Sequence, residues 1–147
     1  MSGCISESQA EQPATILVVD DEVEMRTLVR LMLRRFPHWR VLEAETGRQA
    51  IDLAEVERPD VILLDVMMPD LNGFKVCARL RQSPNLRSSK IVMLTVLSTQ
   101  SAHTATLAAG ADEFWTKPVN PQALRSGIAR LLRRDAPAAG ARRKSRR

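Results

Sequence analysis

Val61-Ile62-Leu63-Leu64-Asp65-Val66-Met67-Met68-Pro69-Asp70-Leu71-Asn72-Gly73 is the stretch on which the reading of this chain turns. Four apolar residues run into a single acid, and Pro69 and Gly73 then break the chain. An uninterrupted apolar run bounded by turn residues is the pattern of a strand buried on both faces, as in a parallel sheet. Asp65 is then the first residue to leave the core, at the carboxyl end of that strand. In open α/β sheets this is the edge that binds ligands. A lone acid in such a place is equally well a helix cap or a turn former, so its meaning depends on what else reaches the same edge.

Upstream, residues 15–19 form a short β-rich apolar run that ends in Asp20-Asp21-Glu22. From 22 to 36 the apolar residues Met25, Leu28, Val29, Met32 and Leu33 keep helical spacing, with acids in the first turn and Arg34-Arg35 in the last, and Pro37 ends the run. A second strand is predicted over 39–44, then a helix over 46–56 with Ala50, Leu53 and Ala54 inward. Downstream of Asp65 come a loop, a helix over 72–81, and a turn around Pro84. A fourth strand over 90–95 ends in Thr95, and an Ala-rich helix over 99–109 is closed by Gly110. A last strand over 113–116 leads to Lys117, and a closing helix over 120–134 turns Leu124, Ile128, Leu131 and Leu132 inward.

Strands alternating with helices in this way predict an α/β fold, a doubly wound five-stranded parallel sheet with five helices and right-handed crossovers. Such a sheet delivers Asp20, Asp21, Asp65, Thr95 and Lys117 to one edge. Clustered carboxylates repel, and the repulsion is relieved by a hard, oxygen-seeking cation such as Mg²⁺, which keeps waters free for a phosphoryl group. A lysine pairs with phosphate oxygens and a threonine hydroxyl donates to one of them. Nucleophile, metal and two donors are the parts of a phosphoryl-transfer site.

Composition sets the outer bounds. The chain has 147 residues, 44% of them apolar, enough for one domain with a real core and without a run long enough to span a membrane. It does not open on a charged-then-apolar leader of the secretory kind, so a cytoplasmic location is expected. Cys4 and Cys77 stand far apart and read as reduced thiols, Cys77 as a small core residue. The net charge of +5 is located in Arg142, Arg143, Lys144, Arg146 and Arg147. Without them, basic and acidic residues balance. Residues 1–13 read as a flexible leader and 135–147 as a disordered basic tail, which offers nucleic acid or an acidic partner only weak, salt-sensitive binding.

Val-Val-Asp20-Asp21-Glu, Leu-Leu-Asp65-Val-Met-Met-Pro69-Asp-Leu-Asn-Gly73, Met-Leu-Thr95 and Gly110-Ala-Asp-Glu-Phe-Trp-Thr-Lys117-Pro118 together resemble the receiver domain of two-component response regulators. The resemblance covers residues 14–134 and favours the stand-alone type found among chemotaxis response regulators. It implies a flavodoxin-like sheet of order 2-1-3-4-5, and a phosphoryl group passed from a histidine kinase or phosphotransfer protein to Asp65. Mg²⁺ would be held by Asp21 and Asp65, by Asp20 through water, and by the backbone carbonyl of Met67. Lys117 would bind the phosphoryl group, and its bond to Pro118 is often cis in the family. Pro69 and Gly73 would shape the loop. The resemblance also implies a switch, with Thr95 moving toward the phosphoryl oxygens and Phe114 swinging inward behind it. A Phe at that position gains only apolar burial on moving. Output would pass through region 99–134 to a homodimer or a downstream protein, with no membrane involved.

Several residues stand apart from that pattern. Met67 and Leu97 are apolar where the family often carries polar residues that orient water, which predicts a long-lived phosphoryl group. Val96 is bulkier than the Ala common there. Strand alternation turns Trp115 to the face opposite Phe114, to pack against a helix. His38 and His103 read as solvated surface residues. Aspartate-nucleophile phosphohydrolases, the alternative enzymatic reading, want a second acid where Met67 stands, so turnover of an external substrate is not expected. A phosphorylation-independent binding module would retain the fold and lose part of the polar set, which is intact here.

Overall fold

The computed structural model describes residues 13–68, 70, 72–96 and 99–133. The predicted leader and tail lie outside them, as do Cys4, Pro69, Leu97 and Arg134. Strands β1 (Ala14–Val19), β2 (Trp39–Ala44), β3 (Val61–Asp65), β4 (Lys90–Thr95) and β5 (Glu113–Thr116) form one parallel sheet of order β2-β1-β3-β4-β5. Helices α1 (Val23–Met32), α2 (Gly47–Glu57), α3 (Gly73–Gln82), α4 (Gln100–Ala108) and α5 (Pro121–Arg133) alternate with the strands, and a 3-10 turn occupies Pro84–Leu86. The fold class is the one anticipated from the chain's rhythm of apolar runs, and the strand order is the one implied by the family resemblance.

Strand alternation divides the core into two layers. Leu17, Val19, Ile62, Leu64, Ile91 and Met93 face α2 and α3 and meet Ala50, Ala54, Val76, Cys77 and Leu80. Ile16, Val18, Val61, Leu63, Val92 and Leu94 face α1 and α5 and meet Val29, Leu33, Leu124, Ile128 and Leu131. Helix starts are set by side chains that accept from otherwise orphaned amides. Thr46 caps Gln49, Asn72 caps Lys75 and Thr99 caps Ala102, at 3.0, 3.0 and 3.1 Å.

One element departs from its prediction. α1 ends at Met32 rather than running to Phe36. Arg34 donates to Leu31, Phe36 to Leu33 and Trp39 to Phe36 through backbone amides, a succession of tight turns that returns the chain to the sheet. Phe36 stacks on Trp39 with ring centroids 4.5 Å apart, which pins that return where Trp39 pairs with Ala14. The buried stripe of α1 is also rotated from the one predicted. Leu28 is exposed, whereas Arg26 shares the buried face with Val29 and Leu33.

Candidate functional site

The sheet's carboxyl edge collects the predicted polar residues because each follows directly from a strand end. Asp20 and Asp21 come one and two residues after β1, Asp65 and Thr95 close β3 and β4, and Lys117 follows β5. Asp20, Asp65 and Thr95 are buried, while Asp21 is exposed. One carboxylate oxygen from each of Asp20, Asp21 and Asp65 lies within 4.8 Å of the others. Lys117 Nζ reaches over them to Asp20 Oδ2 at 3.1 Å and Asp65 Oδ1 at 3.3 Å. Three acids and one ammonium thus share a mouth in which only Asp21 stands open to solvent.

The surrounding backbone holds that geometry. The Glu22 amide donates to Asp20 Oδ1 at 3.0 Å, and the Met67 amide to Asp65 Oδ1 at 3.4 Å. Lys117 donates its own amide to the Thr95 carbonyl at 2.8 Å, which ties the lysine's base to the end of β4. The Lys117–Pro118 bond is cis. At Gly73 the amide donates to the Val66 carbonyl at 2.7 Å, closing the loop after Asp65. A Cβ there would stand 2.5 Å from the Asp65 carbonyl oxygen and 2.7 Å from the Val66 Cα, so only glycine lets α3 start so close to β3.

Electrostatics follow from this crowding. Burial pushes the Asp65 carboxyl above its ordinary range; Lys117 opposes the shift and Asp20 adds to it. Burial draws the Lys117 ammonium down, but Asp65 and Asp20 together hold it above its usual value. A set of hard carboxylate oxygens, one of them solvent-facing, suits a small divalent ion that keeps part of its water shell.

The other predicted residues fall around this centre. Phe114 is half-buried and lies against His103, ring centroids 4.1 Å apart, rather than against the acids. Trp115 points to the opposite face as predicted, packs with the α5 layer, and donates from Nε1 to Glu113 at 2.8 Å. Met67 and Val96 are exposed beside the mouth. His38 is exposed, and Cys77 is a buried core thiol pushed up to about 11 by desolvation.

Two supports escaped the sequence reading. Asp70 accepts from the Gly47 and Arg48 amides at 3.0 and 3.2 Å, fastening the loop after Asp65 to the start of α2. Arg26 donates from Nη1 to the main-chain oxygen of Asp20 at 2.7 Å. Its signal was a lone charge at helical spacing with Val29 and Leu33, on an otherwise apolar stripe.

Comparison with known proteins agrees with this geometry. Residues 16–129 match the family model described as response regulator receiver domain. The chain is 40% identical over 124 residues to the alkaline phosphatase synthesis transcriptional regulatory protein PhoP of Bacillus subtilis, covering 84% of this chain and 50% of that protein. It is 41% identical over 129 residues to the response regulator MprA of Mycolicibacterium vanbaalenii, covering 88% and 54%. The chain therefore spans about half the length of these curated relatives. The chemotaxis protein CheY4 of Vibrio cholerae superposes with a TM-score of 0.76 at 32% identity, over 81% of this chain and 98% of that one. With the strand order, the acidic mouth and a family match over most of its length, this chain belongs to the response regulator receiver domain family.

Proposed function

We propose that this domain is a phosphorylation switch in two-component signalling, with Asp65 as the phosphoacceptor. The observation that carries the reading is the meeting of Asp20, Asp21 and Asp65 within 4.8 Å under the Lys117 ammonium. An Asp65 carboxylate oxygen attacks the phosphorus of a phosphohistidine on a histidine kinase or phosphotransfer protein. The P–N bond breaks as the O–P bond forms, and the imidazole leaves with a proton. Asp21, Asp65 and the Met67 carbonyl would hold Mg²⁺ through oxygen donors, with Asp20 acting through water, and the ion when bound would supply positive charge to the phosphoryl group. Lys117 then exchanges its carboxylate partners for the phosphoryl group, and Thr95 donates its hydroxyl to the same oxygens. Phe114 follows Thr95 inward. Gly73 and Pro118 keep their loops in place.

The folded unit is read as 14–134, acting in the cytoplasm, where such kinases present their phosphohistidine. Among the described residues no helix is long and apolar enough to cross a membrane. The apolar Met67 beside Asp65 offers no second acid for hydrolysing an outside substrate, which favours a switch over an enzyme. Output passes through residues 99–134 to a second copy or a downstream protein, and the basic tail adds at most weak contact with nucleic acid.

Intact-mass spectrometry after incubation with acetyl phosphate and Mg²⁺ tests the reading. One phosphoryl group is expected on the wild type, and none on Asp65→Asn or after EDTA. An unlabelled wild type that also fails with histidine kinases would leave a phosphorylation-independent binding module in its place.

A further inference from the structure

We infer that Arg26 is a positioning residue for the metal-binding acids, acting through the peptide that joins Asp20 to Asp21; this rests on the Mg²⁺ reading above. Arg26 lies one turn into α1, 9% exposed. Its Nη1 donates to the Asp20 carbonyl at 2.7 Å and its Nε to Glu43 Oε1 at 2.9 Å, while Nη2 stands 3.8 Å from Glu45. Glu43 lies on β2 beside Val18 and is shared with Arg30. The guanidinium fork is therefore aimed by a carboxylate on the edge strand and spends its other arm on a main-chain oxygen at the site.

That oxygen matters because a peptide unit is planar. The Asp20 carbonyl and the Asp21 amide turn as one body, so a donor that fixes the oxygen fixes the direction from which Asp21 leaves the strand. Asp20 itself is held on every other side. Its amide donates to Ala44 at 3.1 Å, Oδ1 accepts from Glu22 at 3.0 Å and Oδ2 from Lys117 at 3.1 Å. Asp21 is exposed, and no such bond to its carboxylate is found among the described residues. Its placement is inherited from the peptide before it, and Arg26 sets that peptide. Removing an outer support of this kind typically weakens metal binding by tenfold or more.

Calorimetric titration with Mg²⁺ separates this role from plain stabilisation. Arg26→Lys keeps the charge but cannot serve Asp20 and Glu43 together, and its Kd for Mg²⁺ is expected to rise about tenfold. Arg26→Met is the second variant, should the lysine fail to fold. It removes a cation near the acids, so weaker Mg²⁺ binding in it would run against the simple Coulomb effect. Glu43→Gln still offers an acceptor to Nε, and should leave the Kd within about twofold while lowering Tm. Arg26 variants that bind Mg²⁺ like the wild type, whatever their Tm, would overturn the inference alone. A wild type that binds no Mg²⁺ would overturn it together with the reading beneath it.

Discussion

The two halves of the site are built to different tolerances. Asp20, Asp65 and Thr95 leave the central strands β1, β3 and β4, which are buried almost throughout. Phe114 lies on β5 and Lys117 follows it, and β5 is an edge strand in which no residue is fully buried. Beside it, α4 buries only Ala102 and Thr106, and the Thr106 hydroxyl finds no partner among the described residues. A receiver needs both kinds of support. Acids crowded this closely call for a frame that cannot relax, whereas the strand that the proposed switch would shift has to move at small cost. Low local packing is the physical form of that mobility.

Two glycines test the difference directly. At Gly73 an added methyl meets the backbone of Asp65 and Val66, which cannot step aside. Gly73→Ala is expected to lose about 3 kcal/mol by denaturant unfolding, well beyond the gain in helix propensity. At Gly127 the methyl meets the Trp115 ring at 2.6 Å, and a ring at the sheet's edge can shift. Gly127→Ala is expected to cost at most about 1 kcal/mol, with overpacking largely offset by helix propensity, and to move the tryptophan emission. Equal losses at the two positions would mean that the β5 side is as rigid as the acid side.

The central half was also the more legible in sequence. Runs such as Val61 to Leu64 are apolar on both faces, so the burial of β3 and β4 and the emergence of Asp65 could be read from composition alone. Lys117 is legible at the mouth because it follows a strand of a parallel sheet, whose carboxyl ends share one edge. What was missed depends on tertiary geometry. Arg26 lies among apolar residues because its partners are a carbonyl and a glutamate on another strand, which no local pattern announces. Leu28 keeps helical spacing and is still exposed, because the face turned to the sheet carries Arg26, Val29 and Leu33 instead. Asp70 reads as a turn residue until α2 is brought beside it. His103 is exposed on α4, as its sequence context predicts, and its ring also lies against Phe114.

Titration probes how unrelaxed the acid side is. Burial holds Asp65 above the ordinary carboxylate range, so the folded state binds its proton more tightly than the unfolded chain does. Stability therefore falls as pH rises from the unfolded value through the folded one, and the penalty is fully present above the folded value. In metal-free protein, Asp65→Asn cannot ionise and should melt above the wild type at pH 7. The gain should vanish below about pH 3, where the wild-type carboxyl is protonated in both states. A variant that melts lower across the whole range would show that attraction to Lys117 outweighs burial, and the acid side would then be a relaxed ion pair.

The smallest effect belongs to the loose edge. His103 covers Phe114 from an exposed position on α4, and a ring contact of that kind contributes about 0.5–1.5 kcal/mol beyond area at most. Alanine is the better helix former by about half a kcal/mol, so His103→Ala should leave global stability nearly unchanged. The Phe114 ring resonances should nevertheless shift and narrow, because the ring loses its cover without any change in the sheet beneath it. A contact of that size can be released at a cost comparable to a single hydrogen bond, which is within reach of the bond proposed for Thr95. If His103→Ala instead cost as much as a core truncation, Phe114 would be anchored to α4, and a switch through β5 would have to move the helix with it.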